Sequence, residues 1–114
     1  QDKIKHYNEN IINLDKVVEI ISKEKPEFLF HLAAQPIIST SYINPIDTIT
    51  SNVMGTTNIL ESLRLSNHKC TAIIITSDKA YDNVEQVWGY KENDPMGGKD
   101  IYSGSKGAAE LICK

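Results

Sequence analysis

The chain has few cysteines, and neither stands in a pattern that binds metal. Its 114 residues include Cys70 and Cys113, with no CxxC pair and no histidine at ligand spacing from them. His6, His31 and His68 are likewise scattered along the sequence. We therefore expect two reduced, buried cysteines with structural roles, and no metal site.

The sequence also lacks long apolar runs and any basic stripe. No uninterrupted apolar stretch approaches the roughly 20 residues that span a bilayer, and no signal-peptide pattern opens the chain. A net charge of -3 without clustered basic residues argues against a nucleic-acid partner. With 40% hydrophobic and 24% charged residues, the composition is that of one small acidic domain. We expect a cytoplasmic protein that binds neither membrane nor nucleic acid.

The spacing of apolar residues predicts helices that alternate with strands. A capped amphipathic helix follows Asn13 and ends at Pro26. Its apolar side chains at helical spacing are Leu14, Val17, Val18 and Ile21. Residues 27–33 and 71–76 are short apolar runs, typical of strands buried on both faces.

A second helix is predicted between the two strands, after a loop over residues 35–44. Asn44, Pro45 and Asp47 combine a capping side chain, a proline at the first helical position and an acid in the first turn. The predicted helix runs to about Ser66 and buries Ile46, Ile49, Val53, Leu60 and Leu63. A long loop over residues 77–100 then leads into a third helix.

This order of elements is typical of the α/β class, with a doubly wound parallel, Rossmann-like sheet and helices on both faces. In such sheets ligands bind beyond the carboxyl ends of the strands. The first predicted strand ends in residues 31–35, which include His31, Ala33, Ala34 and Gln35, and the second ends in residues 76–79, so both groups face one crevice. The two alanines suit either close approach of a flat ring or tight packing of strand against helix.

Two residues inside the second helix weaken it. Asn52 has low helix propensity, so it either faces solvent or bonds to a buried polar partner. Gly55 also lowers helix stability and suggests close approach by another backbone or a ligand.

Two clusters carry side chains suited to proton transfer. Ser77, Asp78 and Lys79 place a hydroxyl, a carboxyl and an ammonium after the second strand, either as a solvated turn or as groups for opposite proton transfers. Tyr102 and Lys106 stand four residues apart, so a helix puts them on one face. Such spacing also arises by chance, but a neighbouring ammonium favours an ionised phenol that can accept a proton from a hydroxyl.

Several segments together resemble successive blocks of the extended short-chain dehydrogenase/reductase superfamily. They are HLAAQP at 31–36, SY..P at 41–45, NVMGTTNILE at 52–61, TSDKAY at 76–81, WGYKENDPMGG at 88–98 and YSGSK at 102–106. HLAA and YxxxK occur throughout the superfamily, whereas TSDK together with WGYKENDPMGG is much narrower. Within the superfamily the chain most resembles the CDP-glucose group of nucleotide-sugar 4,6-dehydratases.

The resemblance implies a lyase reaction and a role for each polar residue of the two clusters. Tyr102 would take the proton of the sugar's 4-hydroxyl, supported by Lys106, and Ser77 would bond the C4 oxygen. Lys79 would remove the C5 proton, and Asp78 would protonate the departing 6-hydroxyl. The implied product is a deoxysugar precursor for surface polysaccharide such as lipopolysaccharide.

The implied cofactor is NAD, regenerated in each cycle. The residues implied to contact it are Ala33, Ala34, Gln35, Thr76, Tyr102 and Lys106, while Asn52 would support the Tyr102 and Lys106 network. The resemblance also implies a homodimer, in which the helix of residues 45–66 and the Tyr102 helix pair with their copies. Gly55 and Thr56 would permit the close approach.

The chain departs from the superfamily pattern in two ways. Many related dehydratases have an Asp-Glu pair where this chain has Asp78 and Lys79. The residue that removes the C5 proton therefore differs between groups of these dehydratases. The glycine-rich phosphate-binding loop is absent, and we expect it upstream of Gln1 and the substrate lobe downstream of Lys114. Residues 1–114 would then be the central part of an NAD-binding domain, inactive alone and feeble in binding NAD.

Two other functions remain open from the sequence. One is a different enzyme on the same scaffold, either an inverting UDP-N-acetylglucosamine dehydratase or a nucleotide-sugar 4-epimerase. An epimerase needs Tyr102, Lys106 and a hydroxyl, and leaves Asp78 and Lys79 without a role. The other is a non-catalytic module that binds a dinucleotide, which predicts loss of the proton-transfer residues.

Overall fold

The structure, a computed structural model, describes residues 3–114 and has the α/β architecture expected from the sequence. Residues 1 and 2, at the start of the charged, Asn-rich opening, lie outside the described residues. The regular elements are α1 (Leu14–Glu24), β1 (Phe28–His31), α2 (Ile38–Ile43), α3 (Pro45–Ile49), a π-helical turn (Thr50–Met54), α4 (Gly55–Ser66), β2 (Thr71–Ile74), a 3₁₀ turn (Asp78–Ala80) and α5 (Ile101–Ile112). No described helix is long and apolar enough to cross a membrane.

Helix α1 forms where its capping signals predicted it. The Asn13 side chain accepts a hydrogen bond from the Lys16 amide at 3.3 Å, which satisfies one of the free N–H groups of the first turn. Lys25 ends the helix in the left-handed conformation, with φ of 46°, immediately before Pro26. The buried residues of α1 are Val17 and Ile21.

The two strands lie parallel and neighbouring. Phe28 pairs with Thr71 and His31 with Ile74, so the carboxyl ends of both strands meet at one edge of the sheet. Leu29 and Ile74 pack against the core formed by α1 and α4. The parallel sheet and its helical crossover confirm the predicted fold class.

The strands differ from the prediction in length and in burial. Both have four residues and end at His31 and Ile74, because the segments after them turn away to form the site. Phe28 and Phe30 are 62% and 63% exposed, so burial on both faces was wrong for this chain. Helices α1 and α4 cover the opposite face within residues 3–114.

The connection between the strands is more helical than predicted. Residues 38–43 form α2 instead of loop. The predicted second helix is present as α3, the π-helical turn and α4 in succession. Asn44 precedes it without a side-chain capping bond; instead its carbonyl accepts from the amide and hydroxyl of Thr48.

The buried face of this long helix is polar, contrary to the predicted apolar face. Ile46 and Ile49 are 75% and 41% exposed, while Val53, Leu60 and Leu63 are half-buried. The buried positions are Thr48, Asn52, Gly55, Thr56, Asn58, Ile59 and Ser62. Polar side chains can occupy them because they are hydrogen-bonded, as Asn58 is to the carbonyls of Ile11 and Ile12 at 3.0 Å.

The cysteines also differ from expectation. Both are free thiols, as predicted, but Cys70 is half-buried and Cys113 exposed. The expected burial was therefore wrong. Neither occupies the core, which in the described part of the chain is formed mainly by α1 and α4.

Candidate active site

Helix α5 presents Tyr102 and Lys106 on one buried face. Asp100 starts the helix, because its carboxylate accepts bonds from the amide and the hydroxyl of Ser103 at 2.9 and 2.7 Å. Tyr102 is 8% exposed and Lys106 6%. The Lys106 ammonium lies 3.5 Å from the carbonyl oxygen of Ile75, just beyond β2. The helical spacing thus puts both side chains on one face of α5, and Lys106 lies at the carboxyl edge of the sheet. Burial lowers the pKa of Lys106.

The segment after β2 is a tight turn that packs against α5. The Ser77 hydroxyl accepts from the Lys79 amide at 3.2 Å and donates to the Asp78 carboxylate at 3.1 Å. Asp78 and Lys79 are exposed, as in a solvated turn, while Ala80 is fully buried. A side chain on Gly107 would come within 3.3 Å of the Ala80 carbonyl, so the absence of one lets α5 approach this turn.

Thr76 is bound to α5. Its hydroxyl donates to the Glu110 carboxylate, which joins the end of β2 to the last turns of the helix. This bond uses the hydroxyl hydrogen of Thr76 and leaves its oxygen able to accept, and the cofactor contact implied for Thr76 stays a prediction.

Asn52 joins the loop after β1 to α5. Its side-chain oxygen accepts from the Gln35 amide at 2.8 Å, and its side-chain nitrogen donates to the Gln35 carbonyl at 3.1 Å and to the Ser105 hydroxyl at 2.9 Å. Asn52 is 2% exposed, so the buried-partner alternative was correct. The π-helical turn that carries it is a local widening often found at functional sites.

The Gln35 side chain forms hydrogen bonds within its own loop and to α3. Its amide nitrogen donates to the Thr48 hydroxyl at 2.8 Å and to the Ile37 carbonyl at 3.1 Å, and its oxygen accepts from the Ile37 amide. The role in lining the cofactor that the resemblance implies for Gln35 stays a prediction. Gln35 fixes the loop that carries Ala33 and Ala34.

A cavity of about 540 Å³ opens beside these alanines. It is lined by Asn8, Glu9, Asn10, Ile11, Ala33, Ala34 and Ser51. Ala33 is exposed and Ala34 half-buried, so the small side chains leave space open to a ligand. A smaller cavity of about 160 Å³ lies next to Lys79 and the start of α5.

His31, which the sequence placed at the crevice without an assigned role, is a buried site residue. Its Nε2 lies 3.1 Å from the Thr56 hydroxyl, which donates to the Asn52 carbonyl at 2.7 Å. Because the only hydroxyl hydrogen is used there, His31 is the donor. Burial, and secondarily the charge of Lys106, lower the pKa of His31. A lone polar residue at the end of an apolar run was the only signal for it.

Gly55 has a different role from the one expected. A side chain there would collide with Ile11, so Gly55 accommodates a side chain of the same chain, neither a ligand nor another backbone. Thr56 is 3% exposed and engaged with His31. These two residues therefore face the interior and do not open a helix surface to a second copy.

Among the residues that the structure describes, no group of three or more metal-ligating side chains converges.

Comparison with known proteins identifies the family of the chain. The family model for GDP-mannose 4,6 dehydratase matches residues 1–114. The chain is 50% identical to CDP-glucose 4,6-dehydratase of Salmonella typhimurium over 90% of its own length and 29% of the relative's. It is 34% identical to CDP-paratose 2-epimerase of Salmonella typhi, over 89% of this chain and 34% of that protein. The chain thus spans about a third of the length of these curated relatives.

Solved structures share the fold over nearly all of the chain. RMD from Pseudomonas aeruginosa, complexed with NADPH, matches with a TM-score of 0.82 at 27% identity. The match covers 94% of this chain and 36% of the RMD chain. UDP-glucose 4-epimerase of Thermus thermophilus, complexed with NAD, matches with a TM-score of 0.85 at 22% identity, over 99% of this chain and 36% of the epimerase chain. At that identity the likeness concerns the fold alone. The resemblance found in the sequence is confirmed, and the chain belongs to the GDP-mannose 4,6 dehydratase family.

Proposed function

We propose that the full-length protein catalyses the NAD-dependent dehydration of CDP-glucose to CDP-4-dehydro-6-deoxyglucose. The observation that carries the proposal is the packing of the turn at residues 77–79 against α5, which holds an acid and an amine beside the helix of Tyr102 and Lys106. The 50% identity to a CDP-glucose 4,6-dehydratase supports the same reaction. In this proposal residues 1–114 are the central part of an NAD-binding domain of a cytoplasmic enzyme.

The cavity beside Ala33 and Ala34 fits part of a dinucleotide. Its volume of about 540 Å³ lies in the range of small-molecule sites, roughly 300–1,000 Å³. Ala33, Ala34 and Ser51 would hold the cofactor there. NAD+ bound there would supply a hydride acceptor for C4 and a hydride donor for C6.

The proton transfers belong to residues of this chain. Tyr102 takes the proton of the 4-hydroxyl as C4 becomes a ketone, and Ser77 donates a hydrogen bond to the C4 oxygen. The ketone acidifies the C5 proton, which Lys79 accepts as a neutral amine and later returns to C5. Protonated Asp78 gives its proton to the 6-hydroxyl, which leaves as water. Exchange with solvent then removes the proton held by Tyr102 and restores the one on Asp78, which is exposed.

Buried Lys106 supports the first transfer. Its positive charge lies on the same helix face as Tyr102 and attracts the negative oxygen with which Tyr102 accepts the proton. In this proposal Lys106, whose ammonium lies near the Ile75 carbonyl, also binds a ribose hydroxyl of the cofactor, as the resemblance implies.

We also propose that the full-length protein is a homodimer. Ile43, Ile46 and Met54 are 78%, 75% and 49% exposed on the helical segment from α2 to α4, and such apolar side chains are typical of a surface that a second copy covers. Light scattering of the full-length protein tests this; a monomer at working concentration would exclude it.

The reaction is tested with the full-length protein and three substrates. We expect CDP-glucose to give a product lighter by one water in mass spectrometry, and UDP-glucose and UDP-N-acetylglucosamine to remain unchanged. Tyr102→Phe should abolish turnover. A product of unchanged mass but altered C4 configuration would instead indicate an epimerase. NAD binding without any turnover would indicate a non-catalytic module.

A further inference from the structure

Ser105 is fully buried next to Lys106, and the proposed proton transfers give it no role. Its hydroxyl lies 2.6 Å from the Tyr102 carbonyl and 2.9 Å from the side-chain nitrogen of Asn52. A carbonyl can only accept, so the hydroxyl hydrogen points to Tyr102 and the oxygen accepts from Asn52. Ser105 therefore has one defined orientation, with both hydrogen bonds made.

The partner of Ser105 is itself fixed. Asn52 uses its oxygen for the Gln35 amide and its nitrogen for the Gln35 carbonyl and Ser105. A flipped amide would present a donor to the Gln35 amide and an acceptor to the Gln35 carbonyl, so the orientation is set by the partners. A continuous path of hydrogen bonds thus runs from the Gln35 loop through Asn52 and Ser105 to the backbone of Tyr102.

We propose that Ser105 is a positioning residue, which holds Tyr102 in register with the loop of Ala33, Ala34 and Gln35. The proposal rests on the proposed function, in which Tyr102 acts on a sugar while that loop lines the cofactor cavity. A displacement of about 1 Å can cost on the order of 100-fold in rate. Ser105 touches neither reactant and would act through the position of Tyr102.

Ser62 provides a matched control within the same chain. It is also fully buried, and its hydroxyl donates to the carbonyl three residues earlier, that of Ile59, at 2.7 Å. Ser105 makes the same local bond to Tyr102 and adds the long-range one from Asn52. Replacing either serine with alanine removes the local bond, and only Ser105→Ala removes the connection to Asn52.

Kinetics of the full-length enzyme give the first readout. We expect Ser105→Ala to lower kcat for the conversion of CDP-glucose to the dehydrated product by roughly 10- to 100-fold, with the KM for the sugar unchanged. Ser62→Ala should keep the wild-type rate. If Ser105→Ala does not fold, Ser105→Cys takes its place in both measurements, because the thiol keeps an atom at the γ position but makes weaker hydrogen bonds.

Hydrogen exchange gives a second readout that needs no substrate. Ser105→Ala should speed amide exchange in residues 33–37 by roughly 2- to 10-fold, the factor of one net hydrogen bond, although the substitution lies on α5. Ser62→Ala should leave this segment unchanged. If Ser105→Ala matches Ser62→Ala in either readout, the proposal is wrong. If the wild type fails to oxidise any nucleotide sugar, the proposed function fails, and the exchange alone decides whether Ser105 couples α5 to the loop.

Discussion

Gly98→Ala tests how closely the loop before α5 approaches the start of that helix. A side chain on Gly98 would collide with the Ser103 side chain and would lie 2.8 Å from the Ser103 carbonyl carbon and 2.9 Å from the Gly104 amide nitrogen. Two of these atoms belong to the helix backbone and cannot rotate away. The loop or the helix start must therefore move, immediately next to Tyr102.

The expected cost follows from a comparison with Gly89, which has open space around it. Neither glycine has a positive φ, so alanine suits both backbones and reduces the entropy of the unfolded chain, a gain of about 0.4–1 kcal/mol. Only Gly98→Ala adds overpacking, which costs about 1–3 kcal/mol. Because the entropy term cancels, we expect Gly98→Ala to be less stable than Gly89→Ala by about 1–3 kcal/mol.

The assay is urea unfolding of the two full-length variants side by side, with turnover of the nucleotide sugar as a second measurement. Gly98→Ala should also lose turnover, because the displaced helix start carries Tyr102, whereas Gly89→Ala should retain it. Equal unfolding free energies for the two variants would refute the close approach of loop and helix.

Two further predictions concern the buried polar network. Asn52→Asp should destabilise the protein by about 2–4 kcal/mol, since it removes two donors and places an oxygen against the Gln35 carbonyl; urea unfolding measures this, and a wild-type value would contradict the bonds described. His31→Gln should flatten the pH dependence of stability. The depressed pKa of His31 means that the unfolded chain binds a proton that the folded chain refuses, so wild-type stability falls as the pH drops through the ordinary histidine pKa. Titrating unfolding free energy from neutral to acidic pH checks this, and parallel curves for the two proteins would count against it.

Local signals predicted the elements that frame the site. Asn13 and Pro26 marked the limits of α1 because capping and helix breaking act within a few residues. Tyr102 and Lys106 share a buried face because helical periodicity alone puts them there. The parallel order of β1 and β2 followed from the alternation of helices and strands.

The polar network was beyond such signals. Asn52 meets Gln35 and Ser105 across 17 and 53 residues of sequence, and no local pattern records which distant group will satisfy a buried amide. The same limit explains Ile46: an apolar residue at helical spacing predicts an apolar face, but only the tertiary structure determines what lies against it. Thr48 and Thr56 fill the inner face instead, because their hydroxyls find partners there.

Lys79→Met in the full-length enzyme tests the central claim most directly, because it separates oxidation at C4 from removal of the C5 proton. Methionine keeps most of the bulk of the lysine stem and removes the amine. We predict that the variant, given CDP-glucose, accumulates NADH seen by its absorbance, forms no dehydrated product and exchanges no C5 proton with deuterated water. Tyr102→Phe should instead form no NADH at all. Turnover of CDP-glucose by Lys79→Met at the wild-type rate would contradict the assignment and leave Lys79 as a turn residue.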